Sequence, residues 1–136
     1  PYPLHPNGFY YDEDNDRIWL ATWGSAGLYY SDDGGLSWVD AEPSLAGQPT
    51  GWINVYAITE DSSDILYISA NNGKFFRSLN GGTTWQEVSS LPDVSADTPW
   101  SLEAHPTIAG TVYAGTFGKG AWVTADFGLT WSPVVP

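Results

Sequence analysis

Two carboxylates that could take part in acid–base chemistry, Asp33 and Asp126, recur at a regular spacing with Asn80 at the same position of the copy between them. Each has a hydroxyl residue two positions before it, a Gly two positions after it and a Trp five positions after it. A positioned carboxylate could act as a general acid or base. The middle copy is an amide, which cannot exchange a proton in this way, so the pattern favours a shared use in shaping a turn. Asp and Asn do this by accepting hydrogen bonds from backbone N–H groups that follow them.

The complete repeat is an octapeptide whose copies begin at residues 31, 78 and 124, so the steps are 47 residues (31 to 78) and 46 residues (78 to 124). A fixed period of this size indicates one supersecondary unit used three times. Gly can take the positive φ that a tight turn needs, and Trp can fill the space between neighbouring units. The pattern residues, all predicted to be structural, are Ser31, Asp33, Gly35, Trp38, Ser78, Asn80, Gly82, Trp85, Thr124, Asp126, Gly128 and Trp131.

This pattern resembles the Asp-box, or bacterial neuraminidase repeat, of sialidases, xyloglucanases, sortilin-type receptors and photosystem assembly factors. The resemblance implies that each copy belongs to one blade of a β-propeller, and the three units cover nearly the whole chain. Proteins of unrelated activity carry the motif, so it indicates a fold and not a reaction. In these families, ligands are usually bound at the end of the propeller opposite the Asp-boxes.

The enzyme chemistry that this resemblance implies is incomplete in the chain. Sialidases of this kind hold the substrate carboxylate with three arginines, whereas the chain has two, Arg17 and Arg77. Lys cannot replace them because it lacks the bidentate fork of Arg. Xyloglucanase-type glycosidases use two carboxylates across the scissile bond. Carboxylates that could be placed for this lie in the predicted crossovers, and we interpret them as solvated surface groups: Asp40, Glu42, Asp93 and Asp97. No catalytic residue is therefore assigned.

No metal site or cofactor is predicted either. The acidic run from Asp12 to Asp16 could bind calcium through several carboxylates, but it lacks the later Glu of an EF-hand loop and is better interpreted as a solvated turn. His5 and His105 each precede Pro at related positions of the repeat, which argues for a structural use. The segment from Tyr2 to Pro6 is a second candidate for the first strand of the first unit, with an inserted loop after it.

Aromatic and amide side chains are the candidate ligand-binding residues, because apolar sugar faces stack on rings while hydroxyls need fixed polar partners. They are predicted at the end opposite the Asp-boxes: Trp23, Trp52, Trp100, Phe117, Asn71 and Asn72. The alternative is packing between units. It is stronger for Trp52 and Trp100, which the sequence places at equivalent positions of the repeat.

Composition excludes several classes of partner. The chain has 136 residues, 16 acidic and four basic, with a net charge of −12. Nucleic-acid binding needs a density of basic residues that is absent here, and no apolar run is long enough for membrane insertion. There are no Cys, so disulfides are excluded. Met is also absent and Pro is first, which leads us to expect a processed or excised chain. The strong acidity with few basic residues favours an extracellular or periplasmic location.

The elements that must position these residues are strands. Aromatic and β-branched residues alternate with Gly- and Pro-rich segments, which predicts an all-β fold. Each unit shows four short strand-like runs, giving three blades at approximately residues 1–45, 46–93 and 94–136 of a single 136-residue arc. Propellers have about four to eight blades, so we expect either a homo-oligomer that closes a ring or an arc of a larger propeller.

The predicted function is a β-propeller binding or scaffold module that recognises a carbohydrate or a protein partner. The alternative is part of a glycoside hydrolase, xyloglucanase-like or sialidase-like, whose site is completed by blades outside this chain.

Overall fold

The computed structural model describes residues 5–23, 27–41, 45, 53–91 and 99–135. They form three four-stranded antiparallel sheets, each a meander in which sequential strands are neighbours. The predicted all-β architecture is confirmed. The first sheet contains β1 (His5–Asp12), β2 (Arg17–Trp23), β3 (Leu28–Ser31) and β4 (Val39–Asp40); the second contains β5 (Val55–Glu60), β6 (Leu66–Ala70), β7 (Phe75–Ser78) and β8 (Gln86–Val88); the third contains β9 (Pro99–Ala104), β10 (Val112–Thr116), β11 (Ala121–Thr124) and β12 (Ser132–Pro133).

The first strand corrects one sequence expectation. β1 pairs continuously with β2 from His5 to Asp12, with one bulge between Pro6 and Gly8. The expected inserted loop after Pro6 is therefore wrong, while residues 2–4 of the candidate strand lie outside the described residues. The bulge and the edge position of β1 explain why Pro6 is tolerated, since Pro cannot donate to a ladder. The only helical segment in the described part of the chain is a 3-10 turn at Asn71–Gly73, and no described helix is long and apolar enough to cross a membrane.

The strands β1, β5 and β9 form corresponding edges of the three sheets, and β5 packs on β1 and β2 while β9 packs on β5 and β6. Each edge strand has a bulge, and the extra residues are Asn7, Tyr56 and Trp100. A bulge leaves one residue unpaired and redirects its side chain. The register makes Tyr56 the equivalent of Trp100, so the predicted equivalence of Trp52 and Trp100 is wrong.

Alternate residues of a strand point to opposite faces of its sheet. We name the face toward the preceding sheet the leading face, and the opposite one the trailing face. Between the first and second sheets, Trp19 of the trailing face meets Trp85 edge-on at 5.9 Å between ring centroids. Between the second and third, Phe75 stacks on Trp131 at 4.4 Å. The core therefore lies between sheets, as in a propeller.

Residues from the segments that connect the sheets complete this core. Leu45 is buried and forms an isolated bridge with Trp85. Leu91 is buried in the cluster that contains Trp131. The Asp-box Trp of the second and of the third sheet thus each share a buried cluster with a Leu from the connection that precedes their own sheet.

Candidate functional site

The three Asp-box turns join the third and fourth strands of each sheet and satisfy their polar side chains internally. In the third, the Thr124 hydroxyl donates to Asp126 Oδ1 at 2.8 Å and accepts the Gly128 N–H at 2.9 Å. Asp126 also accepts the backbone N–H and the hydroxyl of Thr130, at 2.8 and 2.6 Å. Asn80 keeps the same geometry by accepting the Thr84 N–H and donating its amide to the Thr84 hydroxyl.

These hydrogen bonds also fix the charge of the turn carboxylates. The Ser37 hydroxyl and N–H, with the Ser31 hydroxyl, lower the pKa of Asp33 to about 2. Donors from Thr130 lower the pKa of Asp126 in the same way. A carboxylate held ionised by several donors is a poor proton donor near neutrality. The turns are therefore unsuited to general acid catalysis.

Loops between the first and second strands lie at the same end of the arc as the Asp-boxes. Three equivalent residues shape them: Asp12 accepts the Asn15 N–H, Asp61 accepts the Ser63 N–H, and His105 Nδ1 accepts the N–H groups of Thr107 and Ile108. His105 follows the end of β9, whereas His5 begins β1. The two His residues are therefore not at equivalent positions, which corrects the sequence interpretation.

Asp61 also links the second and third sheets. Its Oδ2 accepts the buried Tyr67 hydroxyl at 2.9 Å and the Gly110 N–H at 2.8 Å. Burial acts to raise the pKa of Asp61, but the hydrogen bonds from Ser63, Gly110 and Tyr67 outweigh it and lower the pKa. The residue is a satisfied structural carboxylate.

An acidic cleft of about 380 Å³ separates the loops of the first and second sheets at this end. Glu60 accepts the Tyr10 hydroxyl across the boundary at 3.2 Å. Burial, followed by the negative charge of Asp12, raises the pKa of Glu60 to about 7. The cleft is further lined by Asp14, Asn15, Asp64 and residues 79–81. Among the described residues, no group of three or more His, Asp or Glu side chains is arranged to hold a metal ion.

Both arginines contact the Asp-box of the following sheet. Arg17 pairs with Asp32 through Nε and Nη2, at 2.6 and 2.8 Å, and donates through Nη1 to the Gly81 carbonyl at 3.4 Å. Arg77 donates through Nε to Gln86 and through Nη1 to the Phe127 carbonyl at 2.9 Å. Their donors are directed at the protein's own groups and not at a shared ligand position.

The opposite end of the arc carries the exposed aromatic side chains. Trp100 is half exposed, and its ring contacts Tyr56 at 5.0 Å between centroids with an interplanar angle of 62°. On the adjacent strand, the Asn7 amide donates to the Val55 carbonyl at 2.9 Å. The three bulge residues therefore follow one another along the inner edges of the sheets. We name Asn7, Tyr56 and Trp100 the inner row.

The other predicted binding residues are distributed around this end. Asn71 binds the backbone before β5, where its N–H donates to the Asn54 carbonyl at 3.0 Å and its Oδ1 accepts the Asn54 N–H at 3.3 Å. Trp23 ends β2, Phe117 lies in the turn after β10, and both are more than half exposed. Trp52 and the side chain of Asn72 lie outside the described residues, as do Glu42, Asp93 and Asp97.

Tyr56 and Asn7 were missed by sequence reasoning. Sequence reasoning assigned Trp52 as the equivalent of Trp100 because the two residues are of the same type. Counting back from each Asp-box through the hairpins would have pointed to Tyr56 instead, since the registers of β5–β6 and β9–β10 place the bulges at corresponding positions.

The meanders, the inter-sheet core and the repeated turns define the class: an arc of three Asp-box β-propeller blades. The family profile described as BNR/Asp-box repeat matches residues 29–40. The resemblance inferred from the octapeptide is thus confirmed.

Two curated relatives are vacuolar protein sorting/targeting proteins 10. The protein from Blastomyces gilchristii is 34% identical over 74 residues, which cover 53% of this chain and 5% of that protein. The protein from Verticillium alfalfae is 28% identical over 93 residues, covering 68% of this chain and 6% of that protein. The aligned part of the chain thus spans about one-twentieth of the length of these relatives.

Solved structures share the fold at low sequence identity. YCF48 from Cyanidioschyzon merolae superimposes with a TM-score of 0.70 and 16% identity, over 97% of this chain and 38% of that one. The GH74 xyloglucanase from Xanthomonas campestris gives a TM-score of 0.74 and 20% identity, over 96% and 21%. A structure of YCF48 bound to D1 peptide gives 0.70 and 18%, over 97% and 40%. These neighbours are β-propellers and agree with a partial propeller for this chain.

Proposed function

We propose that this chain is a non-catalytic binding arc that recognises an extended polypeptide segment at the end opposite the Asp-boxes. The observation that carries the proposal is the Tyr56–Trp100 pair, in which one ring fixes the other while half of Trp100 remains open to solvent. A rigid, half-exposed aromatic offers contact area at little cost in side-chain entropy, which is why Trp and Tyr dominate binding hot spots.

Main-chain recognition favours a polypeptide over a small ligand. β1, β5 and β9 are edge strands, so one side of each ladder is not paired within its sheet. Such edges can hydrogen-bond an added extended segment. The Asn7 amide already donates to the Val55 carbonyl, an example of this backbone accepting a donor from a neighbouring element. The net charge of −12 further favours a neutral or basic segment.

Two comparisons support a polypeptide partner. The curated relatives are named for vacuolar protein sorting and targeting, and one structure of the same fold is described as bound to a peptide. The names of the curated relatives also support a location outside the cytoplasm. A fold neighbour that is an extracellular domain from B. thetaiotaomicron supports it too. Fractionation of the source cells with an antibody to the chain tests this location, and a purely cytoplasmic signal would contradict it.

The hydrolase alternative has less support from the described residues. Arg17 and Arg77 bind Asp-box carbonyls, and Asp33 and Asp126 are held ionised within their turns. The carboxylate with a pKa near neutrality, Glu60, lies at the Asp-box end, away from the inner row. Incubation of the chain with xyloglucan and with sialyllactose should therefore release no product, and steady turnover of either would favour the alternative.

A glycan is the second candidate ligand. The exposed rings of Trp23 and Phe117 favour it, because flat apolar surfaces at a polar rim suit stacking with sugars. In that case, Trp23→Ala and Phe117→Ala should abolish retention on a glycan array.

The main proposal is tested with peptides selected from a random phage-displayed library on the wild-type chain. Trp100→Ala should weaken binding of the selected peptides by at least about ten-fold, as expected for a hot-spot residue. Leu36→Ala is the control, because Leu36 is exposed at the Asp-box end and should not contribute. Equal loss in both variants, or no loss in Trp100→Ala, would overturn the proposal. Fluorescence anisotropy of labelled peptides gives the affinities.

A further inference from the structure

The leading face of the first sheet is built as an inter-blade surface, but none of the sheets in the described part of the chain packs against it. Phe9 is 63% exposed, whereas its equivalents in the second and third sheets, Ile58 and Leu102, are 7% and 8% exposed. Trp38 of the first Asp-box is 37% exposed, against 3% and 7% for Trp85 and Trp131. Phe9 and Trp38 already contact each other at 6.3 Å between ring centroids. The equivalent apolar residues are therefore buried in the two sheets that have a preceding blade.

The polar part of each inter-blade surface is equally regular. Arg17 of the first sheet donates to the Gly81 carbonyl, and Arg77 of the second donates to the Phe127 carbonyl. Gly81 and Phe127 occupy the same position of the Asp-box, directly after Asn80 and Asp126. The two arginines come from different strands, β2 and β7, yet each reaches the carbonyl at this same position of the following Asp-box. An arginine on the preceding blade is thus a recurring partner of this position.

In the first Asp-box, the equivalent position is Gly34, directly after Asp33. By the rule of the two described interfaces, its carbonyl should receive a guanidinium from a preceding blade. A blade that docks here must therefore present an arginine and an aromatic ring on its trailing face, where the first two sheets carry Trp19 and Tyr67.

The third blade of a second copy does not meet this requirement. At the position of Arg77 it has Val123, and at the position of Arg17 it has Thr111. Leu28 and Phe75, which are fully buried in the two interfaces, correspond to the small and exposed Ala121. Its ring, Tyr113, is present. Closing a ring from two copies would leave space beside Ala121 and leave the Gly34 carbonyl without its arginine.

We propose that the leading face of the first sheet docks a further Asp-box blade that carries an arginine on its trailing face and is supplied by sequence outside this chain. The residues of this surface occupy the positions that are buried in the two interfaces between described blades. The relatives that match the chain are about twenty times longer than the matched segment, which leaves ample sequence for such a blade. This inference is independent of the proposed ligand.

Self-association of designed variants tests the requirement for an arginine. The wild-type chain should sediment at its monomer mass of 14.8 kDa. The double variant Ala121→Phe/Val123→Arg restores both missing features on the third blade, at positions outside the buried core, and should associate at least about ten-fold more tightly than wild type. The matched control Ala121→Phe/Val123→Leu restores the apolar contact alone and should remain close to wild type.

A third variant identifies the surface that is used. Adding Phe9→Asp to the Phe/Arg variant should return it to a monomer, because Phe9 lies on the leading face. Three results would overturn the proposal: stable dimers of the wild-type chain, equal association of the Arg and Leu variants, or a Phe/Arg variant that stays monomeric while its circular dichroism matches wild type. Equilibrium sedimentation measures each of these.

Discussion

At the scale of single residues, two groups of described polar side chains stabilise the arc. The Asp-box hydroxyls and carboxylates bind donors and acceptors of their own turn, while Arg17, Arg77, Asp61 and Tyr10 reach a neighbouring blade. The first group gives each turn its shape. The second group fixes the angle between sheets, because each hydrogen bond has a preferred length and direction.

Glu60 makes one of these contacts sensitive to pH. Burial and Asp12 raise its pKa from the ordinary 4.5 to about 7, so the folded state favours the protonated form. The resulting stabilisation is complete below about pH 4.5 and is lost as the pH rises through about 7. Glu60→Gln keeps a neutral hydrogen-bonding side chain at every pH. The variant should therefore have a higher melting temperature than wild type at pH 8, and this difference should disappear by about pH 4.5.

Thermal unfolding of both proteins at the two pH values measures this effect. Glu103→Gln is the control, because Glu103 is an exposed carboxylate on β9 and its removal changes the overall charge equally. A difference in melting temperature that stays constant with pH, or one that is equal in the control, would contradict a raised pKa of Glu60 in the folded state.

At the scale of elements, the Asp-box turn must fit against the sheet before it. Gly82 has a φ of +86°, and a Cβ on it would lie 2.2 Å from the Trp19 ring. Its neighbour Gly81 has a φ of +68° with no atom within 4 Å of such a Cβ. Both positions need a residue that adopts a positive φ, but only at Gly82 would a side chain also collide with Trp19.

Substitution of these two glycines separates backbone strain from packing. Gly81→Ala should cost about 1 kcal/mol, the strain of a left-handed conformation. Gly82→Ala adds a clash with a fully buried Trp and should cost about 3 kcal/mol or more in total. Urea unfolding gives both free energies. Equal losses of unfolding free energy would contradict the close contact between Gly82 and the Trp19 ring.

Much of this element structure could be predicted from the sequence, and the failures have a common cause. The period of the octapeptide locates the turns, and the short runs of aromatic and β-branched residues on either side of them indicate the strands. The bulges are not visible in the sequence because each is the second or third residue of its strand, where too few alternating positions precede it to reveal a shift of phase. Trp52 was therefore paired with Trp100 by residue type, and Tyr56 was overlooked.

The relation between sheets was beyond sequence reasoning for a similar reason. Arg17 and Arg77 occupy different strands, so no spacing reveals that both reach the same Asp-box position. Their shared role depends on the rotation between blades. It was likewise impossible to see that Glu60 and Tyr10, 50 residues apart, would meet across a boundary.

At the scale of the whole molecule, the two ends of the arc have different characters. The Asp-box end is acidic and its polar groups are largely bound within turns. The opposite end carries the inner row, with Trp23 and Phe117 exposed beyond it. The arc is open on the leading face of its first blade, where apolar residues are exposed that are buried in the other two. Ligand binding and blade addition are therefore assigned to separate surfaces.

The most direct test of the binding account is an amide correlation spectrum of ¹⁵N-labelled chain titrated with a peptide selected on it. We predict that the perturbed amides cluster around Asn7, residues 54–56, residues 71–74 and residues 99–101, with the three Asp-box turns unchanged. Perturbations centred on the Asp-box turns or on the acidic cleft at Glu60, with the inner row unaffected, would contradict the account.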